Sequence, residues 1–474
     1  MDTTSLTRRS VLFAGFAVPL LAGCGVVPRI GSHPQRQVRA AAPFDMPAIS
    51  IPDFSASARF PITDFGATPD DQQKTSTAIA RAIAAAHAAG SGVVVVPPGV
   101  WPTGPVHLRS NVNLHLEKGA TLLFSPRPAD YLPAVATTWE GLECTNYSPL
   151  VYAHDCENVA ISGQGLLRAQ LDTWRIWYGR PKPHMDALVA LYKMADAGVP
   201  VPQRDMTKGE ANLRPQFIQF NRCRNVLVED VRIENSPFWV LHPYLCRDVV
   251  IRRVQIRAHG HNNDGVDPEM SQNVLIEDCV FDQGDDAISV KSGRDRDAWR
   301  LDAPCRNIVM RNCRVKNGHQ LMAIGSELSG GIENVFVDNC HFDAADSAAK
   351  STINNLLFVK TNERRGGYVR NIHMSNVSAT RIAGGVLSVE TDVLYQWKTL
   401  MPTIERRLTP IQGLHVSGIE VADAGFVCHI KAEAEMPVRD VRLRDVRVRS
   451  VRSTPFVTQN VQGFDNKADL RKPA

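Results

Sequence analysis

The chain has 474 residues, enough for one large single-core architecture or for two to three ordinary domains. With 44% hydrophobic and 22% charged residues, its composition is that of a folded globular protein. The net charge of +4 suits an anionic small or polymeric substrate and is far from the basic stripe of a nucleic-acid binder, so no nucleic acid is expected as a partner.

Chain order begins with "TRRSVLFAGFAVPLLAGC", in which Arg8 and Arg9 precede an apolar run from Val11 to Leu21. That run is short for a membrane span and has the anatomy of a signal peptide; the arginine pair predicts twin-arginine export. Leu21-Ala22-Gly23-Cys24 resembles the bacterial lipobox, whose cysteine becomes the lipidated first residue. Gly25 is not the aspartate that would favour inner-membrane retention, so a lipid anchor on Cys24 in the outer membrane, facing the periplasm, is expected. Residues 1–24 are therefore read as signal and residues 25–57, rich in Pro, Arg and Ala without periodicity, as a linker. The folded body is placed at residues 58–460 and a tail at residues 461–474.

The body opens with "TSTAIARAIAAAHAAG", which predicts an alanine-rich helix with Ile79, Ile83 and Ala86 on one face and Gly90 as its stop. A phrase then recurs: "ENVAISG" from Glu157, "RNVLVEDVRI" from Arg224, "RDVVIRRVQI" from Arg247 and "QNVLIEDCVF" from Gln272. It returns from Arg306, Glu333 and Arg370, and last from Val438. Its period-two alternation predicts two short strands per copy, kinked at the polar residue between them. The marks Asn225, Asp248 and Asn273 lie 23 and 25 residues apart. That period predicts an all-β fold, a right-handed parallel β-helix whose open end the N-terminal helix caps. A leucine-rich repeat lacks its leucines here, and a propeller blade needs about 40 residues. Cys279, Cys313 and Cys340 share one register position and should stack as a buried apolar ladder. Setting Cys24 aside leaves nine cysteines, an odd number, and export in the folded state implies a fold that forms without disulfides. Residues 172–212 break the repeat; they contain a predicted helix, "HMDALVALYKMADAG", and read as a long loop over one face.

Three carboxylates stand out. Asp264 in "HNNDGVDPEM" precedes Asp285 by 21 residues, and Asp286 follows in "FDQGDDAISVKSG". Stacked strands lie about 4.8 Å apart, so Asp264 and Asp285 are expected at equivalent positions of adjacent turns, with Asp286 turned to a neighbouring direction. His319 falls on the next turn and Lys360 on the one after. Any one of these aspartates fits a solvated turn, but the constellation fits acid/base cleavage of a glycosidic bond. A zinc site at His259, His261 and Asp264 is allowed by residue type and disfavoured; no cofactor or metal is expected.

These motifs resemble those of the polygalacturonase family, glycoside hydrolase family 28, over nearly all of the chain from Phe60 to Ile372. Its N-T-D, G-D-D, G-H-G and R-x-K motifs appear as Asn262-Asn263-Asp264, Gly284-Asp285-Asp286, Gly318-His319-Gln320 and Phe358-Val359-Lys360. The resemblance implies an inverting glycosidase with Asp285 as general acid, Asp264 and Asp286 activating water, and His319 supporting the acid. Lys360 would bind a substrate carboxylate, and Asn262, Lys291, Glu327 and Arg365 would line the substrate site. Lys291-Ser292-Gly293, Gly325-Ser326-Glu327 and Arg365-Gly366-Gly367 resemble the bacterial, often exo-acting branch. Phe358 replaces the motif arginine, a residue well shaped for a uronate carboxylate, and Arg364 or Arg365 could compensate. A one-rung carboxylate spacing would by itself favour retention, whereas the resemblance implies inversion. The expected partner is a pectic oligo- or polysaccharide, and the expected state a monomer. A calcium-dependent lyase and a non-enzymatic glycan-binding β-helix share the expected fold; neither calls for three carboxylates beside a histidine.

Overall fold

The computed structural model describes residues 33–208, 213–343, 353–395 and 397–470. The signal segment and Cys24 lie outside them.

Each turn of the solenoid is set by a residue that leaves the β region. Asn158, Asn225, Asp248, Asn273, Asn307, Asn334, Asn371 and Asp440 all have φ between 52° and 61°, the left-handed conformation that Asn and Asp tolerate best after glycine. Their side chains also bond from turn to turn: Asn225 Nδ2 donates to Asn158 Oδ1 at 2.8 Å, Asn307 to Asn273 at 3.0 Å and Asn334 to Asn307 at 2.9 Å. The polar residue between the two strands of each copy, such as Asp278, Asn312 or Asn376, makes a second left-handed corner. Between the corners, alternate Val, Ile and Leu point inward.

The result is a right-handed parallel β-helix, with 20 strands in its largest sheet and a 4-stranded and a 6-stranded sheet on the remaining face. Its core is a continuous stack exemplified by Val226, Val249, Val274, Ile308, Val335, Ile372 and Leu414, each fully buried. A buried side chain of this size contributes about 1.5–3 kcal/mol, so the stack is the main source of stability. The cysteines serve the same stack. Cys279, Cys313 and Cys340 form the expected column, and Cys156, Cys223, Cys246 and Cys305 belong to a second. All nine described cysteines are unpaired and buried.

Helix α1 (Gln72–Ala88) starts at Asp71, whose carboxylate accepts from Lys74 N at 3.0 Å. It buries Ala78, Ile79, Ala82, Ile83 and Ala86 against the first turns and ends before Gly90 at φ +84°. This covers the open end of the core, as the sequence predicts.

Two segments depart from the expected division. Residues expected as linker include an antiparallel pair, Gln35–Val38 with Ile49–Pro52. Ile49 and Ile51 cover Ala160, Leu227, Val250, Leu275 and Val309, outward-facing apolar residues of five successive turns. The expected tail contributes the strand Val461–Leu470, paired with Val438–Val451 as a further rung. Within the insertion, α2 (Asp172–Tyr178) buries Trp174 and Trp177 in the main core, and α3 (Lys182–Asp196) packs beside the hairpin Val135–Trp139/Leu142–Asn146. The buried pair Arg204–Asp297, at 2.5 Å, ties the insertion to α4 (Asp295–Leu301).

Candidate active site

Register decides which side chains meet. Val266 pairs with Ile288, Ile288 with Met322, and Met322 with Leu357. Two residues before each lie Asp264, Asp286, Gln320 and Asn355; one residue earlier lie Asn263, Asp285, His319 and Asn354. Asp264 is therefore in line with Asp286, and the expected alignment with Asp285 is off by one. Asp285 instead lines up with His319, whose N–H donates to the Asp285 carbonyl at 2.9 Å. Lys360 is not in the aspartate file either. It pairs with Glu390 and reaches back along the groove.

The side chains close this arrangement. His319 Nδ1 lies 3.0 Å from Asp285 Oδ1, and Lys360 Nζ donates to Asp286 Oδ2 at 2.9 Å. Lys291 Nζ sits 3.6 Å from Asp264, 3.5 Å from Asp267 and 3.4 Å from Glu327, with the Trp239 ring centroid at 4.5 Å. Asp264 Oδ1 and Asp286 Oδ1, on adjacent turns, are buried and have no protein hydrogen-bond partner.

Charge states follow from these neighbours. Burial and the charges of Asp285 and Asp286 push Asp264 up to about 8, against the pull of Lys291. Asp285 goes the other way: burial would raise it, but the bond to and charge of His319 bring it down to about 2. The same bond lifts His319 to about 9. Burial raises Asp286 despite Lys360, and Lys291 and Lys360 are both held protonated by the carboxylates around them, against the effect of burial. At neutral pH the unliganded site thus stores protons on Asp264 and His319 and leaves Asp285 ionised, a different pattern from one in which Asp285 itself carries the acid proton. Carboxyls this close titrate as a set, so an admitted proton can settle on whichever oxygen a substrate favours.

All nine residues expected at the site line one cavity of about 590 Å³: Asn262, Asp264, Asp285, Asp286, Lys291, His319, Glu327, Lys360 and Arg365. Several differ in what they hold. Glu327 bonds Arg294 at 2.6 Å, and Arg365 bonds Asp295 at 2.7 Å and the Ser326 carbonyl at 2.6 Å. Lys291, Glu327 and Arg365 are nearly fully buried and saturated by one another's charges, so they build the wall and not a set of open sugar contacts. Buried charges must pair, which is why a wall of such residues satisfies itself. Asn262 is held by the buried Arg214, whose Nη2 donates to Asn262 Oδ1 at 3.0 Å and whose Nη1 donates to the His261 carbonyl at 2.6 Å.

Sequence reading missed Arg214, Asp267, Arg294, Glu140, Arg180, Trp239 and Tyr395, and considered His261 only for the disfavoured zinc site. Asp267 had a signal: it follows Asp264 by three residues in the same glycine-containing turn. Glu140 and Arg180 reach the cavity from the hairpin and the insertion, and nothing in the repeat marks them. The disfavoured zinc grouping does not assemble, because His259 turns away to Asp282 at 2.9 Å. Asp285, Asp286 and His319 do place ligand atoms within 4.8 Å of one another. His319 Nδ1 and Asp285 Oδ1 engage each other and Lys360 bonds Asp286 Oδ2, so positive charge is already supplied there.

Residues 203–468 match the family described as Glycosyl hydrolases family 28. The chain belongs to that family. A hyperthermoactive exopolygalacturonase from Thermotoga maritima is similar at 36% identity with a TM-score of 0.80, over 90% of this chain and 94% of that one. A probable polygalacturonase of Vitis vinifera is 26% identical over 388 residues, 79% of this chain and 71% of that protein. An exo-poly-alpha-D-galacturonosidase of Dickeya chrysanthemi is 27% identical over 304 residues, 59% of this chain and 49% of that protein.

As a family 28 member the protein is a glycosidase on a β-helix scaffold. Its departure at the R-x-K motif is structural as well as textual. Phe358 lies buried against the cavity, and its ring centroid is 5.8 Å from Lys360 Nζ. Neither expected substitute for the missing guanidinium is available. Arg364 faces away, bonded to the Trp397 and Met401 carbonyls, and Arg365 is spent on Asp295.

Proposed function

We propose that this glycosidase is an exo-acting polygalacturonase. It removes terminal units from oligogalacturonides, cleaving α-1,4-galacturonosyl or closely related pectic linkages with inversion. The observation that carries this is the convergence of Asp264, Asp285 and Asp286 with His319 on a cavity walled by the inserted segment. In the proposed step the glycosidic oxygen approaches Asp285 and takes the proton that the Asp285–His319 pair holds. The bond from that oxygen to the anomeric carbon breaks. A water held by Asp264 Oδ1 and Asp286 Oδ1 attacks the same carbon and passes its proton to Asp286. As the products leave, Asp286 releases its proton to solvent and His319 regains one, which resets the site.

β-Elimination fits less well. A lyase needs an unprotonated base beside the substrate, and both cavity lysines are held protonated by carboxylates. The reading extends outside the cavity to an exported lipoprotein, anchored through Cys24 on the periplasmic side of the outer membrane and monomeric. It is supported by the arginine pair and the lipobox-like sequence alone.

The test is purified protein on oligogalacturonides, with chain lengths resolved and the anomer of the first product read by proton NMR. Monomer or dimer bearing the inverted β-configuration is expected. The retained α-anomer would overturn inversion, and products absorbing in the unsaturated-uronate band would overturn hydrolysis.

A further inference from the structure

Five basic side chains other than histidine line the cavity: Arg180, Lys291, Arg294, Lys360 and Arg365. Four are committed. Lys291 faces Asp264, Asp267 and Glu327; Arg294 bonds Glu140 and Glu327; Lys360 bonds Asp286; Arg365 bonds Asp295. Arg180 makes no side-chain hydrogen bond or ion pair among the described residues, and its Nε is buried without an acceptor. A guanidinium with a buried, unsatisfied N–H is costly to hold unless something else supplies the acceptor.

Its setting shows that the position is built. Arg180 follows Gly179, the C-cap of α2, with its N–H on the Trp177 carbonyl at 3.1 Å and φ at +50°. A left-handed residue other than Gly or Asn costs about 1–2 kcal/mol, and the helix end would be better served by glycine. Trp174 and Trp177, both buried in the main core, fix the helix that carries it. Arg180 also acts on its surroundings: His261, in the same cavity, is pushed down to about 4 by burial and by the charges of Arg180 and Arg214. This end of the cavity, on the side of the turn that carries Asp264, therefore gathers the charges of Arg180 and Arg214, and no carboxylate among the described residues bonds the Arg180 guanidinium.

We infer that Arg180 binds the carboxylate of the uronic acid unit seated at the Asp264 end of the cavity, a guanidinium contact supplied by the insertion and separate from the Phe358 position, which lies three turns further along. This rests on the galacturonide reading above. A planar fork suits a carboxylate better than an ammonium does, so Arg180→Lys should recover only part of what Arg180→Gln loses.

Binding separates this contact from catalysis. In an Asp285→Asn background, digalacturonate affinity is measured with Arg180, Arg180→Gln and Arg180→Lys, alongside the dimethyl ester of the same disaccharide. The expected result is digalacturonate binding about 10- to 100-fold weaker with Gln, intermediate with Lys, and ester binding changed by less than about threefold. In the otherwise wild-type enzyme, Arg180→Gln should raise KM for trigalacturonate with much less change in kcat. Unchanged digalacturonate affinity, or an equal loss for acid and ester, overturns the inference while wild-type turnover of galacturonides keeps the functional reading intact. A wild-type enzyme that cleaves no galacturonide overturns both.

Discussion

Among the three central aspartates, Asp285 owes its low pKa chiefly to His319, against burial and with help from Lys360 and Lys291, and this fixes the sign of two predictions. In the proposed step Asp285→Asn removes the route by which a proton reaches the leaving oxygen, so turnover should fall by at least about 10³ while the protein still folds. A variant retaining a tenth of wild-type turnover would take Asp285 out of the mechanism. The second prediction concerns pH. His319 is raised to about 9 and Asp285 lowered to about 2, from 6.5 and 3.8. The histidine's contribution to stability is thus present below about 6.5 and lost as pH rises through about 9. The aspartate's is present above about 3.8 and lost as pH falls through about 2, so the pair is at full strength between about 4 and 6.5. In activity, the alkaline limb of kcat/KM should reflect proton loss from Asp264 near 8 and His319 near 9. His319→Gln removes the upper of these stores, and the limb should move to lower pH. An unmoved limb, recorded on the same oligogalacturonide, would separate His319 from the proton supply.

At the scale of elements, the asparagine corners explain why the repeat could be read from sequence at all. One residue per turn must take positive φ and bond its neighbours above and below, which restricts it to Asn, Asp or Gly and writes a visible mark every turn. Asn307 sits mid-ladder at φ 60°, donating to Asn273 and accepting from Asn334. Asn307→Gly loses the bonds; Asn307→Ala loses them and adds left-handed strain, so alanine should unfold about 1–2 kcal/mol more easily than glycine. Equal denaturation midpoints would mean that the ladder, and not the backbone, holds the corner. The capping helix and the Cys279–Cys313–Cys340 column were legible for a related reason, since local periodicity shows which face is buried. Periodicity does not fix how many residues a loop uses between turns, which is why Asp264 meets Asp286 in register and not Asp285. The hairpin carrying Glu140, helix α2 and the strand pair that carries Ile49 and Ile51 were illegible. They are short, and contacts with distant turns decide their conformation.

For the whole molecule, two predictions depend on parts outside the repeat. Cys24→Ser should move the protein from the membrane fraction to the soluble periplasm, because a lipid chain is the anchor the sequence offers; unchanged fractionation would remove the lipobox reading. The other concerns how a polymer meets the enzyme. A bare β-helix presents an open groove along its length, across which a sugar chain can lie and be cut internally. Here the groove is interrupted. Glu140 from the hairpin and Arg180 from the insertion reach one side of the cavity, Tyr395 and Trp397 the other. The insertion is anchored by the buried Arg204–Asp297 pair and by the hydrogen bond from Tyr192 to Asp295 at 2.6 Å, so it is a fixed wall. A volume of about 590 Å³ is that of a pocket for a drug-sized ligand, which admits a chain end of few sugars and not a chain passing through. With polygalacturonate as substrate, reducing ends should therefore accumulate while viscosity falls only slightly, and monomer or dimer should be the earliest products. A steep early drop in viscosity with mid-length oligomers would show that a polymer crosses the cavity, and the insertion would then be no barrier.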